Sequence, residues 1–379
     1  MVTLRAGLTV LLAVVLGSSA QAEDGTSEKK GPTLYGDGGG RLWKWESGEK
    51  SFLTPEGRNV VLGGVGEKEL WGWALEGDQA RFFTQKLPKK EGSGSGSQGP
   101  QPASPLIFDP GRYPAPDRAD RAGDRLLLVY GALSGQPRWE VWRGGKKLAA
   151  RAYDDGRLVY AAVLSPEEGW MIAGRAADGT PWLELSGADV EVPEGWRGRL
   201  TVAAWVPEAE KKEGEGADNA ASSGTPEKTP KKKPIHPWAA GWGAPGAAPP
   251  RALLWGPDGW VQPQPTEDGP QGGVYPVAGS PGDGVLTLGG WQAEAATGTL
   301  HPWFWDGKAA QTAAGTADGA VEAFSVKGKG GAFLIVRHPT APWHTQEDGK
   351  ESQVLDNLGP DDRVVAATGA DAPGAAPSP

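Results

Sequence analysis

After residue 22, apolar residues in this chain come in short runs punctuated by Gly, Asp-Gly and Pro, with no 3.6-residue period sustained anywhere. That rhythm predicts strands and tight turns throughout. One phrase recurs: large apolar residues alternating along a strand, a turn ending in glycine, then a second short strand. Its clearest copies are Gly40-Arg41-Leu42-Trp43-Lys44-Trp45-Glu46-Ser47-Gly48, Gly179-Thr180-Pro181-Trp182-Leu183-Glu184-Leu185-Ser186-Gly187, Leu253-Leu254-Trp255-Gly256-Pro257-Asp258-Gly259-Trp260, and Leu300-His301-Pro302-Trp303-Phe304-Trp305-Asp306-Gly307. Repetition of one supersecondary unit predicts an architecture in which neighbours bury each other's faces.

The predicted strands group into units. One holds Val60-Val61-Leu62, Leu70 to Leu75 and Ala80 to Phe83, with Leu106-Ile107-Phe108 as a further candidate. The next holds Leu126 to Tyr130, Trp139 to Trp142 and Lys147-Leu148-Ala149. A third runs from Leu158 through Trp170 to Val192, and a fourth from Leu200 to Val261. A fifth spans Val285 to Gln311, and a sixth holds Val321 to Phe324 and Ala332 to Val336. A spacing of roughly 35 to 45 residues suits four-stranded antiparallel blades. The expected fold is therefore all-β: a β-propeller over residues 33–345, with about six blades and five or seven as the alternatives. The sixth unit is short of outer strands, so the hairpin around Trp43 and Phe52 is expected to complete it and close the ring. An open stack of sheets is the rival, with exposed edges at both ends.

Glu168-Gly169-Trp170-Met171-Ile172-Ala173-Gly174-Arg175 with Gly179-Thr180-Pro181-Trp182 resembles the W-A-V-G-x-x-G-T-I-L unit of bacterial exported β-propellers, and Leu288-Gly289-Gly290 followed by Gly298-Thr299-Leu300 is a looser match. Leu70-Trp71-Gly72-Trp73-Ala74 is similar to the V-W-G-V phrase of tectonin-type propellers. The resemblance implies a propeller and leaves its subfamily open. Asp-box and WD-repeat signatures are not met.

Three stretches differ in composition: 86–104 (Gly/Ser/Pro/Lys), 208–234 (Glu/Lys/Ala/Ser/Pro) and 361–379 (Ala/Gly/Pro). Each is too poor in apolar residues to offset its ordering entropy, so two disordered insertions and a disordered tail are expected. At the other end, Arg5, the apolar run Leu8 to Leu16 and Ala20-Gln21-Ala22 match a signal peptide over 1–22. The run is too short to span a bilayer, and no membrane insertion is expected after cleavage. A periplasmic or extracellular location follows.

Cysteine is absent, which excludes disulfides, thiolate metal sites and a cysteine nucleophile. The formal net charge of -9 argues against nucleic acid as a partner. A glycan or an envelope protein is the expected partner, and no cofactor is implied. The 18 tryptophans are the main chemical resource. Those inside alternating strands (Trp43, Trp71, Trp142, Trp182, Trp303) read as packing; Trp170, Trp196, Trp260, Trp291 and Trp343 lie beside turns, where a ring can also stack on a ligand.

No catalytic or metal constellation survives inspection. His236, His301, His338 and His344 have no metal-ligand spacing. Gly92-Ser93-Gly94-Ser95-Gly96 and Gly94-Ser95-Gly96-Ser97-Gln98-Gly99 fit nucleophile-elbow and dinucleotide patterns, but in a Gly/Ser tract with no helix after it. Asp154-Asp155 and Glu167-Glu168 read as turn residues. The expected function is a binding or scaffolding module rather than an enzyme. The alternative is a glycan-active hydrolase or lyase, which needs two carboxylates facing across one mouth.

Overall fold

The computed structural model describes residues 33–56, 59–65, 69–77, 79–87, 116–209, 233–263, 272–282, 284–312, 320–327, 331–337, 343–347, 350–355, 357–359 and 362–368; between 320 and 354 it describes backbone only. These residues form seven antiparallel sheets and no helix. Six sheets have four strands, as the repeat spacing leads one to expect, and one has three. We number them as blades in chain order: blade 1 (60–86, the three-stranded one), blade 2 (118–152), blade 3 (158–189), blade 4 (196–261), blade 5 (274–312) and blade 6 (320–355). Blade 7 joins 363–368 to 33–52.

Each blade begins with its inner strand and works outward by hairpins. The inner strands are Val60–Val65, Arg118–Ala122, Leu158–Leu164, Trp196–Pro207, Val274–Pro281, Ala320–Lys327 and Arg363–Thr368. Each packs against the next, and Arg363–Thr368 returns to touch Val60–Val65, so the ring closes around an axis. That closure makes the fold a β-propeller, with no sheet left at an open end of a stack.

Burial follows from the same geometry. A blade wedged between two others is covered on both faces, so its middle strands are apolar at every position rather than every second one. In Arg125–Tyr130 all six residues are buried. Leu127 and Val129 point into a cluster shared with Val159, Ile172 and Trp182 of blade 3. Leu126, Leu128 and Tyr130 point the other way, to Trp71, Trp73 and Phe82 of blade 1. Met171 and Leu183 of blade 3 meet Leu200 and Leu253 of blade 4 in the same manner. Trp43, Trp71, Trp142, Trp182 and Trp303 are all buried in these wedges. Each contributes about 4 kcal/mol of burial as an upper bound.

One local device repeats. In blades 1, 3, 4, 5, 6 and 7 the inner strand bulges against its neighbour at the same level, the extra residue being Gly63, Tyr160, Thr201, Val277, Glu322 or Val365. In five of them the neighbouring strand carries a glycine there: Gly72, Gly174, Gly241, Gly290 and Gly36. A Cβ on any of these would run into the carbonyl oxygen of Val61, Leu158, Arg199, Tyr275 or Arg363 respectively. Gly72, Gly174 and Gly290 are the glycines of the resembling phrases. They are there because the bulged backbone comes too close for a side chain. The Ser47-Gly48 and Ser186-Gly187 turns have positive φ at both positions, the geometry that joins twisted strands by two residues.

Three expectations need correction. The propeller does not end at 345 and the sixth unit is not completed by the N-terminal hairpin: it has its own outer strands, Trp343–Glu347 and Lys350–Leu355. The strand that the hairpin joins is Arg363–Thr368, inside the 361–379 stretch expected to be tail. An average rich in Ala, Gly and Pro concealed Arg363-Val364-Val365, whose two valines are buried. The inner strands Arg118–Ala122 and Val274–Pro281 were also missed. Arg118–Ala122 alternates charged residues with alanine and Val274–Pro281 is broken by Pro276 and small residues, so neither shows the run of large apolar residues that marks the inner strand Leu158–Leu164. The rest of 361–379, most of 86–104 and 208–234, residues 1–22 and Leu106-Ile107-Phe108 lie outside the described residues.

Candidate functional site at one mouth of the ring

Because every blade starts at its inner strand, the N-terminal ends of all seven inner strands gather at one mouth. Hydrogen bonds between blades hold them level there. Leu62 donates its backbone N–H to Asp37 (2.9 Å), Thr201 Oγ1 donates to the Pro276 carbonyl (2.7 Å), and Gly198 N–H donates to the Gly179 carbonyl (2.8 Å).

Around this mouth, blades 2 to 5 present a row of arginine and aromatic side chains. Arg118 starts the inner strand of blade 2. Tyr160 is the bulged residue of blade 3. Arg199 lies on the inner strand of blade 4, directly across from Trp242. The Arg199 guanidinium sits over both rings, 4.7 Å from the Tyr160 centroid and 5.1 Å from that of Trp242. Such stacking suits the weakly hydrated, planar guanidinium. The row continues into blade 5: Trp242 meets Tyr275 edge-on (5.3 Å, 74°), and Tyr275 lies 6.2 Å from Trp291. Tyr275 and Trp291 also pair across the bulge level of their own blade. Arg199, Trp242, Tyr275 and Trp291 are half-buried, so each keeps some surface open.

Charge at the mouth is unevenly compensated. Arg363 of blade 7 is held by Asp37 through both carboxylate oxygens (3.2 Å from Nε) and donates to the Leu62 carbonyl (2.7 Å). Among the described residues Arg118 has only the Asp117 carbonyl as a partner, at 3.4 Å, and its Nε is buried without an acceptor. Burial pulls its pKa below the ordinary value; Asp117 and Tyr160 oppose this and Arg363 adds to it. It stays charged, as arginine does. Arg199 has no acceptor among the described residues, and its Nε too is buried and unpartnered. Asp117 itself accepts from the Ala132 N–H at 2.9 Å.

Two residues beyond Arg118 on the same face of the strand, Asp120 accepts the Leu164 N–H of blade 3 (2.7 Å). Burial raises its carboxyl to about 6, against the lowering effect of its backbone hydrogen bonds.

Of the tryptophans singled out beside turns, Trp291 alone joins this row. Trp170 packs on Trp139 (5.1 Å) in the wedge between blades 2 and 3. Trp196 is buried in the core. Trp260 donates its indole N–H to the Glu191 carbonyl (2.8 Å). The side chain of Trp343 lies outside those described. His236 and His301 sit on different blades, while His338 and the side chain of His344 lie outside the described parts. Asp155 is paired with Arg157, which lowers its carboxyl pKa, and the Glu167 backbone N–H donates to Ser165 Oγ, which caps that turn. The tract 92–99 is outside the described residues.

No protein-family model matches the chain, and no curated protein matches it by sequence. Among solved structures it is similar to the WD40 β-propeller domain of Doa1, with 12% identity and a TM-score of 0.39 over 91% of this chain and 98% of that one. It is also similar to the β-propeller domain of Cps50 (Swd1) from Myceliophteria thermophila, with 12% identity and a TM-score of 0.40 over 80% and 90% of the two chains. A third is TolB from Acinetobacter baumannii, with 9% identity and a TM-score of 0.39 over 89% and 67%. At these levels the assignment of the fold rests on the chain's own sheet order and closure.

Proposed function

We propose that this chain is a binding module, exported from the cell, whose ligand, a glycan or a protein, contacts the mouth formed by blades 2 to 5. The observation that carries this reading is the continuous row Tyr160–Arg199–Trp242–Tyr275–Trp291. Half-buried rings held at fixed spacing by rigid strands give a ligand flat apolar area at little entropic cost. A hydrolase would use opposed carboxylates. Of the described carboxylates at the mouth, Asp37 is engaged by Arg363 and Asp117 by the Ala132 N–H. Export rests on Leu8 to Leu16 and the Ala20-Gln21-Ala22 site.

The test is retention of the secreted protein on a panel of insoluble glycans and envelope fractions, with soluble products assayed in parallel. Retention that weakens in Trp242→Ala and Trp291→Ala, without product release, is expected. Release of fragments would move the reading to a glycan-active enzyme. N-terminal sequencing of protein recovered outside the cytoplasm should give Glu23 as the first residue.

A further inference from the structure

The arginines make the same mouth selective, an inference that rests on its being a binding surface. We infer that its ligand is an acidic glycan, one whose sugars carry carboxylates. Three observations converge. First, Arg118 and Arg199 stand on either side of Tyr160, on the inner strands of blades 2 and 4, and neither forms an ion pair with a carboxylate among the described residues. Leaving a half-buried guanidinium unpaired is unfavourable. In a chain with a net charge of -9, acidic partners for it are plentiful. Arg363, at the same register position in blade 7 as Arg199 in blade 4, has such a partner in Asp37 directly across. Across from Arg199 stands Trp242 instead.

Second, the Arg199 guanidinium lies over two rings, which restrain its orientation, and its Nε is buried, so its terminal nitrogens are the ones left for a planar anion. A carboxylate fits that pair with two parallel hydrogen bonds. Third, the neighbouring surface is aromatic. Trp242, Tyr275 and Trp291 run on from Arg199 across blade 5. Sugar rings lie flat on such surfaces through their C–H faces, whereas an acidic peptide gains little from them. Charge at one end and flat rings along the rest describe a chain of uronate-type sugars.

The experiment measures affinity of the full secreted protein for polygalacturonate, for its methyl-esterified form and for poly-glutamate. The esterified polymer has the same sugar backbone without the charge. Wild type, Arg199→Gln, Arg199→Lys and Trp291→Ala are compared, with thermal unfolding as the control for folding. Binding to polygalacturonate is expected to fall at least tenfold on esterification and in Arg199→Gln, and to weaken as salt rises. Arg199→Lys, which keeps the charge but loses the two-pronged geometry, should fall between. Trp291→Ala should weaken both polymers.

Equal affinity for the esterified polymer, with Arg199→Gln unchanged and Trp291→Ala weakened, would overturn the acidic ligand and leave the mouth as a glycan surface. Poly-glutamate binding as tightly as polygalacturonate, untouched by Trp291→Ala, would replace the glycan by an acidic peptide. Affinities that no mouth variant alters, or binding to none of the three, would overturn the mouth itself as the binding surface.

Discussion

Arg363 in blade 7 and Arg199 in blade 4 occupy matching places. Each lies on an inner strand one step before the residue paired with a bulge glycine, Gly36 in one case and Gly241 in the other. Arg363 faces Asp37, and together they take the Leu62 N–H and carbonyl, tying the first and last strands of the chain to blade 1. Arg199 faces Trp242, lies over two rings and has no acceptor among the described residues. The same position in one repeat thus closes the ring and in another leaves a charge for something outside the chain. A propeller can do this because its blades are equivalent in backbone but not in side chain, so one place can specialise without disturbing the others.

Breaking blade 7 should have the largest effect. A chain ended at Gly359 loses Arg363–Thr368, and with it the inner strand to which Thr33–Gly38 pairs. Loss of cooperative thermal unfolding is expected, since Leu34, Trp43 and Trp45 then lack Val364 beside them. Asp37→Ala comes next. It strands Arg363 and the Leu62 N–H together and should lower stability by about 2–4 kcal/mol, measured by denaturant titration. Gly174→Ala drives a methyl group into the Leu158 carbonyl and should destabilise by about 1–3 kcal/mol in the same titration.

Asp120 sharpens the comparison through pH. Its native carboxyl titrates near 6, against 3.8 ordinarily. Between those values the native state holds a proton that the unfolded chain has released. Stability from this group therefore falls as pH rises from about 4 to about 6 and stays lower above that. Asp120→Asn keeps an acceptor for Leu164 and should abolish that slope. At pH 7 it should gain on the order of 1–2 kcal/mol, after allowance for screening by water at the axis. The smallest effect belongs to Arg199→Gln. With no acceptor to lose, it should shift the unfolding midpoint by no more than about 0.5 kcal/mol, in contrast to Asp37→Ala. A loss comparable to that of Asp37→Ala would show that Arg199 is structural as well.

Strand after strand was legible because Trp, Leu and Val alternate into two wedges, as Leu126 to Tyr130 do. The repeat phrases exposed Gly72, Gly174 and Gly290 before the structure gave their reason. What escaped were two of the inner strands that border the axis. Arg118–Ala122 has no large apolar residue, and Val274–Pro281 carries a proline at its bulge; yet these two strands supply Arg118 and Tyr275 to the mouth. The turn-proximity rule for tryptophans found Trp291 and missed Trp242, because whether a ring is open depends on the neighbouring blade and not on its distance from a turn.

The sequence alone thus determined the strand-and-turn repeat, the blade spacing and the predominance of tryptophan packing, since these depend on patterns a few residues long. Tertiary structure alone decided where the ring closes, how the blades stand level at one mouth, and which arginine meets a carboxylate. Those outcomes depend on pairs such as Asp37 with Arg363, over three hundred residues apart, and on contacts between blades that no local pattern encodes.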